Sequence, residues 1–293
     1  MHGIFHNLAE SVYRSDPAIS QSTLKVIGRS PAHFKAGVEA DEKEETGAML
    51  LGRIAGQLAM EPEREAWWTV QPDGVALNTT EGKDWAKAQC KWDESKDGKF
   101  PRSPSDAFDK KGITVIRYDI FKRASEIASA LMDCKKPEVR ELLDDSDFEV
   151  SGFADVETPS GIVPCKFRAD IVPRKLPILA DLKTCLDARP EPFLRNSVLR
   201  LGYHLQAASY LGFWNVLHTK DWRHEFRFIA VESSAPYAII VHRLDKEFME
   251  QGLMKYEQML STYAFCKKMN DWPDYAPGIS TLELPKWEKD KIQ

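Results

Sequence analysis

Apolar residues along this chain fall into two rhythms. Over residues 148–184, FEVSGFADVETPSGIVPCKFRADIVPRKLPILADLKT, Val, Ile and Phe come in three short runs with charges between them. Turn clusters at Thr158-Pro159-Ser160-Gly161 and Pro173-Arg174-Lys175-Leu176-Pro177 divide the runs, which predicts three strands, the last two forming a hairpin. Residues 226–231 and 237–241 predict two more, joined at Ser233-Ser234-Ala235-Pro236. The helical rhythm holds elsewhere. Two short helices are expected over 20–35, the second opened by Ser30-Pro31 as a cap followed by proline, and a strongly apolar one over 48–60, with Gly52 and Gly56 on one face. Residues 120–143 show helical spacing with a break at Pro137. Residues 192–217 read as one long amphipathic helix with Tyr203, Gln206 and Tyr210 in a single stripe, and 245–270 as a last helix. Residues 39–45, 96–111 and 274–293 read as loops or tail. The expected class is α/β, a central mixed sheet flanked by helices.

The predicted hairpin carries an unusual set of charges. If its turn centres near Lys175, Asp170 stands opposite Asp181 and Arg168 opposite Lys183, all four on one sheet face. Carboxylates paired in this way lie roughly 5 Å apart and repel, so the arrangement persists most easily with a divalent cation between them. Lys183 then stands beside that cation, placed to hold or deprotonate a water. Asp-x-Lys alone is a weak signal, since four further copies begin at Asp41, Asp97, Asp109 and Asp133. Only the copy at Asp181 ends a buried-type strand with a second Asp at hairpin register; the competing reading is a solvated sheet edge.

Composition narrows the class. A chain of 293 residues, 43% hydrophobic, is ample for a core. No apolar run approaches the ~20 residues of a membrane span, and the opening MHGIFHNLAESVYR lacks a signal peptide's apolar centre, so a cytoplasmic protein without membrane contact is expected. The five cysteines, Cys90, Cys134, Cys165, Cys185 and Cys266, are odd in number and scattered, which favours reduced structural thiols over disulfides or a metal cluster. A net charge of -5 does not exclude nucleic acid, because affinity depends on local basic patches. Lys166, Arg168, Arg174, Lys175, Lys183, Arg189, Arg195 and Arg200 crowd the hairpin region, and Arg53 lies on the helix over 48–60. Trp67, Trp68, Trp85 and Trp92 stand among Lys and Asp in the 64–118 stretch; packing of an inserted helical segment explains them better than base stacking.

Asp170, then Asp181-Leu182-Lys183, then Gln206-Ala-Ala-Ser-Tyr210 resembles the PD-(D/E)XK nuclease superfamily, and within it the RecE (exonuclease VIII) type of phage recombination exonuclease. Ser20-Gln-Ser-Thr-Leu-Lys-Val-Ile with Ser30-Pro-Ala-His-Phe, the Leu51-Gly52 helix ending Glu61-Pro62-Glu63, and Trp272-Pro-Asp-Tyr resemble that family in the same order, over about residues 17–287. The resemblance implies one nuclease domain over 1–293: N-terminal helices to 64, a helical and loop insert over 65–145, a catalytic core over 146–275 and a tail. It implies Asp170, Asp181 and the Leu182 carbonyl as ligands for one or two Mg²⁺ or Mn²⁺ ions, Lys183 at the attacking water, and Gln206 and Tyr210 contacting substrate and bracing the site. The cations Arg53, Lys166, Arg168, Arg174, Lys175, Arg195 and Arg200 become candidate DNA contacts. It also implies 5′-to-3′ digestion of one strand from double-stranded DNA ends, a ring-like homo-oligomer, and a single-strand annealing protein as partner. One position departs: Gly56 stands where the family carries a metal-reaching histidine. Its neighbours Gln57 and Glu61 are expected to point elsewhere by the 100° helical step, leaving Glu149 as the carboxylate that could substitute. A nuclease fold that binds DNA or a partner with little or no activity is the reading from another class, and an endonuclease of the same superfamily is a third.

Overall fold

The computed structural model describes residues 1–39 and 46–284. Its strands are β1 (Gly3–Phe5), β2 (Ile19–Ser20), β3 (Trp68–Val70), β4 (Thr114–Ile116), β5 (Ser146–Thr158), β6 (Gly161–Pro173), β7 (Ile178–Cys185), β8 (Glu225–Glu232) and β9 (Ile239–Arg243). The helices are α1 (Glu10–Ser15), α2 (Gln21–Leu24), α3 (Pro31–Glu39), α4 (Gly47–Met60), α5 (Thr80–Gln89), α6 (Glu94–Asp97), α7 (Pro104–Lys111), α8 (Tyr118–Asp133), α9 (Pro137–Leu143), α10 (Pro190–Phe193), α11 (Tyr203–Leu217) and α12 (Lys246–Met269). A 3₁₀ turn, Lys25–Gly28, continues α2, and a π-helical segment, Leu194–Leu199, follows α10.

The main sheet runs β1-β5-β6-β7-β8-β9, with the two-residue β2 added to β6. β5, β6 and β7 are successive antiparallel neighbours, β8 is parallel to β7, and β9 is antiparallel to β8. The sheet is therefore mixed, as expected. One face, with Val150, Phe167, Ala169, Leu179, Phe226 and Phe228, packs under α11 and α12. The other, with Ile171, Ile178, Ala180, Ile229 and Val231, packs under α4, α8 and α9. Alternation should put Ala169 and Ile171 on one face, yet they lie in different cores, and so do Phe148 and Val150 of β5. Both strands thus turn over at one level, at Asp170 and at Glu149, whose φ is 52°.

Just beyond that level the sheet forks. Ile171↔Ala180 is the registered pair between β6 and β7 among the described residues; past it β7 follows β8, while β6 takes β2 as a parallel partner at Cys165 and Lys166. Two consequences correct the sequence reading. Arg168 does not share a face with Lys183: it turns to the opposite side, bonding Ser151 Oγ and the Leu8 carbonyl. The helix expected over 192–217 is broken, because Gly202 takes a left-handed φ of 76° and separates the π segment from α11. Nor is α11 amphipathic; wedged between sheet and α12, it buries residues around its circumference, including His204, Leu205, Ala207, Ser209, Phe213 and Trp214.

The insert is more ordered than its composition suggests. The 96–111 stretch contains α7, which starts at Ser103-Pro104 and ends at a left-handed Gly112, the stop and start signals of a helix. β3 and β4 form a separate two-stranded parallel sheet. Trp85 packs on Phe108 and Trp92 on Phe100, as packing rather than base stacking predicts. The break at Pro137 is present between α8 and α9. The loop expected over 39–45 and the end of the tail fall outside the described residues apart from Glu39, which ends α3.

The support for α11 is close: a Cβ on Gly252 of α12 would lie 2.4 Å from the His204 carbonyl oxygen, a backbone atom that cannot rotate away. Gly252→Ala should therefore force the helices apart and lower stability by about 1–3 kcal/mol. Urea denaturation checks this, and an unchanged midpoint would show that α12 can slide without cost.

Candidate active site

Three buried apolar residues, Ile178, Leu179 and Ala180, drive β7 into the core and carry Asp181 with them to 1% exposure. Extending the Ile171↔Ala180 register by one sets Asp170 opposite Asp181, and the β5–β6 register sets Glu149 beside Asp170 on its other flank, between Phe148↔Ile171 and Val150↔Ala169. Three carboxylates thus form a row across adjacent strands at the fork. Gln206 Nε2 donates to Asp181 Oδ1 at 2.5 Å, and the Leu182 N–H donates to Asp170 Oδ2 at 3.1 Å. Lys183 Nζ lies 2.5 Å from Asp181 Oδ2 as an ion pair and 4.6 Å from the Tyr203 ring centre. Apart from that pairing, Asp181 Oδ2 is buried with no hydrogen bond.

The charges are under strain. Burial, then the neighbouring Asp181 and Glu149, push the Asp170 carboxyl well above its usual range. Burial raises Glu149 to about 7, against the pull of Arg168 3.6 Å away. Burial works against the Lys183 ammonium, but Asp181 and Asp170 outweigh it and hold its pKa above the ordinary lysine value. A divalent cation would relieve the acid row and add a second partner to Asp181 Oδ2, which has Lys183 alone, and the donors, all oxygen, suit a hard ion such as Mg²⁺ or Mn²⁺. Among the described residues no three His, Cys, Asp or Glu side chains form a ligand set by themselves. A cation here would draw on Asp170, Asp181, the Leu182 carbonyl and water.

The remaining predicted residues scatter. Tyr210 packs on Phe167 and Phe226 behind the carboxylates, its pKa pushed up by burial. Lys166 is 7% exposed and donates to the Tyr13 and Asp16 carbonyls at 2.7 Å each. Lys166 and Arg168 therefore tie the N-terminal segment to β6, which corrects the expectation that they meet phosphate. Arg174 and Lys175 pair with Asp145 and Asp147 at the hairpin turn, Arg189 with Asp187, and Arg195 with Glu191. Arg200 is exposed. Arg53 lies over the Trp67 ring at 3.8 Å and 3.6 Å from Glu10. The basic crowding in sequence does not become one patch in space.

Other residues join the site without a sequence signal. Glu61 was expected to point away, but α4 stops at Met60 and Glu61 takes φ −132°, ψ 55°, so the helical step no longer applies. Its charge raises the pKa of Glu149, while it pairs with Arg64 at 2.7 Å. Lys25 lies near enough to Lys183 for their charges to interact, though burial does more to lower its pKa. Arg223, 4% exposed, donates from Nη1 to the carbonyls of Pro173, Leu176 and Ile178 at 2.7–2.8 Å, pinning the turn that joins the two Asp-bearing strands. Gly56 faces the site's second strand: a Cβ there would lie 3.8 Å from Leu182 Cδ2 and 3.3 Å from Met60 Cε.

Against curated proteins the sequence gives no match. Among solved structures, one described as a "putative exonuclease" from Eubacterium rectale superposes with a TM-score of 0.59, covering 98% of both chains at 13% identity, a likeness of fold. A second, SSO0001, covers 75% of this chain and 88% of its own at 13% identity with a TM-score of 0.30, too low to argue from. Residues 20–285 match a family described as a PDDEXK-like domain of unknown function (DUF3799). With the strand-borne Asp170 and Asp181-Leu182-Lys183 assembled at the fork of a mixed sheet, the chain belongs to this PDDEXK-like family and has the nuclease fold of that superfamily.

Proposed function

We propose that this protein is a divalent-metal-dependent deoxyribonuclease that digests linear double-stranded DNA from its ends, 5′ to 3′, leaving a single strand for an annealing protein. The observation that carries the chemistry is the meeting of Asp170, Asp181 and Lys183 at the fork, with Gln206 holding one Asp181 oxygen and the Lys183 ammonium standing against the other. End dependence is supported by the likeness of fold to the Eubacterium rectale protein described as a putative exonuclease. Direction, the annealing partner, a ring-like assembly and action in the cytoplasm rest on the RecE resemblance.

Asp170, Asp181 and the Leu182 carbonyl would hold Mg²⁺ or Mn²⁺, which supplies a water of lowered pKa and neutralises charge on the phosphate. Gln206 fixes the Asp181 rotamer, so the oxygen paired with Lys183 stays in the fork. Lys183, kept charged by the acids around it, orients a water or offsets charge on a phosphate oxygen; that charge makes it a poor proton acceptor. Tyr203 holds the ammonium from above through its ring face.

A weakened site is the second reading, favoured by Gly56, which has no side chain to offer where the resemblance places a histidine. A Cβ at this position would press only on the flexible end of Met60, 3.3 Å away. Under this reading Gly56→His should raise activity several-fold at limiting Mn²⁺; under the first it should change little.

Two measurements test the proposal. With 5′-labelled linear duplex and Mn²⁺, wild type should release nucleotides, and Asp181→Asn, Asp170→Asn or Lys183→Ala should each lower the rate by at least about 10³-fold, with Gln206→Ala about 10-fold lower. Undiminished rates in the first three, with folds intact by circular dichroism, would remove the active-site assignment; cleavage of closed circles would favour an endonuclease. The second concerns pH. Because the folded Glu149 binds its proton more tightly than the unfolded chain does, it opposes folding increasingly as pH rises from about 4.5 to about 7. In EDTA above pH 7, Glu149→Gln should therefore be more stable than wild type by about 1–2 kcal/mol, a figure reduced for partial solvent access. The gap should close below pH 5 and narrow when Mn²⁺ is added. Equal stability of the two proteins at pH 8 in EDTA would contradict the strained acid row.

A further inference from the structure

A groove of about 600 Å³ opens on the insert, lined by Thr80, Lys83, Asp84 and Lys87 of α5, Glu94 of α6, and Lys99 to Arg102 of the following loop. Four cations stand there against two carboxylates. Lys87 is within 3.9 Å of Glu94, whereas the side chains of Lys83, Lys99 and Arg102 make no ion pair or hydrogen bond among the described residues. Lys83 is half-buried in this state. Phe100 is half-buried too, with Trp92 edge-on to it at 5.4 Å and the Lys87 ammonium 5.3 Å from its ring centre. Cations without carboxylate partners beside a partly open aromatic ring offer both charge and a stacking face to a ligand that is anionic and flat.

We propose that this groove binds a single DNA strand, with phosphates at Lys83, Lys99 and Arg102 and a base against Phe100. The proposal rests on the reading of the chain as a deoxyribonuclease and adds a second contact with its substrate, away from the carboxylate row. A duplex keeps its bases stacked inside and would present only phosphates, leaving the ring without a partner. A single strand offers both the charge and a free π-face, and sequence-tolerant binding of single strands combines these two elements. An acidic peptide would match the charge but not the ring. The fold gives the groove a firm base: Ala86, Cys90, Ala107 and Phe108 form a small buried core beneath α5 and α7, and Lys111 bonds both oxygens of Asp97 at 2.8 Å.

The test is fluorescence anisotropy of the full chain with a 5′-fluorescein dT20 oligonucleotide in EDTA, where hydrolysis is off, at several salt concentrations. The Lys83→Ala/Lys99→Ala/Arg102→Ala variant should bind at least ten-fold more weakly, and its log–log salt slope should be shallower by about 2, as for three lost phosphate contacts on a single strand. Phe100→Leu, which keeps an apolar side chain in the small core, should weaken binding about five-fold or more while the salt slope stays unchanged. A control removing three other surface cations, Lys246→Ala/Lys267→Ala/Lys268→Ala, should leave dT20 binding within two-fold of wild type. The proposal is overturned if groove and control variants lose affinity equally, if the groove variant binds as wild type does, or if polyglutamate displaces dT20 as well as unlabelled dT20 does. These results separate from the nuclease reading: a wild type that degrades DNA while the groove variant binds normally loses only the groove. A wild type that releases no nucleotide but shows the slope change keeps the groove and loses the nuclease.

Discussion

Asp181 is the charge around which the rest is built. At 1% exposure an ionised carboxylate without partners would be untenable, and the fold answers each oxygen separately. Gln206 reaches down from α11 to one, and Lys183 returns to the other from the same strand. Both answers depend on parts of the chain remote from Asp181. Gln206 arrives only because Gly202 breaks the preceding helix and lets α11 start afresh over the fork. The strand that bears Asp181 is held at its other end by Arg223, whose guanidinium takes three carbonyls of the hairpin turn. A buried arginine in that role is costly to replace, because its removal leaves carbonyls unpaired in the core.

The turnover of β5 and β6 at Glu149 and Asp170 gives the site two sides. On the α11 side stand Asp181, Lys183, Gln206 and Tyr203. On the α4 side Glu149 meets Arg168, Glu61 and Arg64, with Glu10 close by. The N-terminal segment lies along β6 where β7 has left it, and the cations that flank the site in sequence are used to fasten it there. This is why Lys166 and Arg168 bond carbonyls while Lys183, on the diverging strand, keeps its ammonium beside the acids. Proximity in sequence placed all three in one basic cluster; the fork divides them.

Much of the frame was legible because it follows from local rules. The β5–β6–β7 meander, the register that sets Asp170 opposite Asp181, the break before Pro137 and the Ser30 cap of α3 all come from period, turn residues and capping, and each is present. What was not legible depends on events without a local signature. Face parity predicted Arg168 beside Lys183, but a single left-handed residue at Glu149 resets parity across two strands. The 100° step sent Glu61 away, but the helix ended one residue earlier. α11 was read as amphipathic because a sequence does not tell which helix will be covered on its second side, here by α12. In the insert the opposite happened: the proline start and glycine stop of α7 were present in a stretch whose polar composition suggested a loop.

Gly56 shows how the site is balanced electrically. With Gly52, whose added Cβ would sit 3.1 Å from Thr184 Oγ1, it lets α4 settle directly on Leu182 and Thr184, so that helix brings close packing where a histidine would have brought a neutral ligand. The charged groups on this side are instead carboxylates, Glu10, Glu61 and Glu149, each partly buried and each set against an opposing charge. Arg14, Arg53, Arg64 and Arg168 provide it, four guanidiniums against three acids. Across the row, Asp170 and Asp181 have Lys183 as their one close cation among the described residues, so the negative excess is concentrated on the α11 side. A divalent cation placed there would neutralise the side that lacks positive charge and leave the compensated side undisturbed.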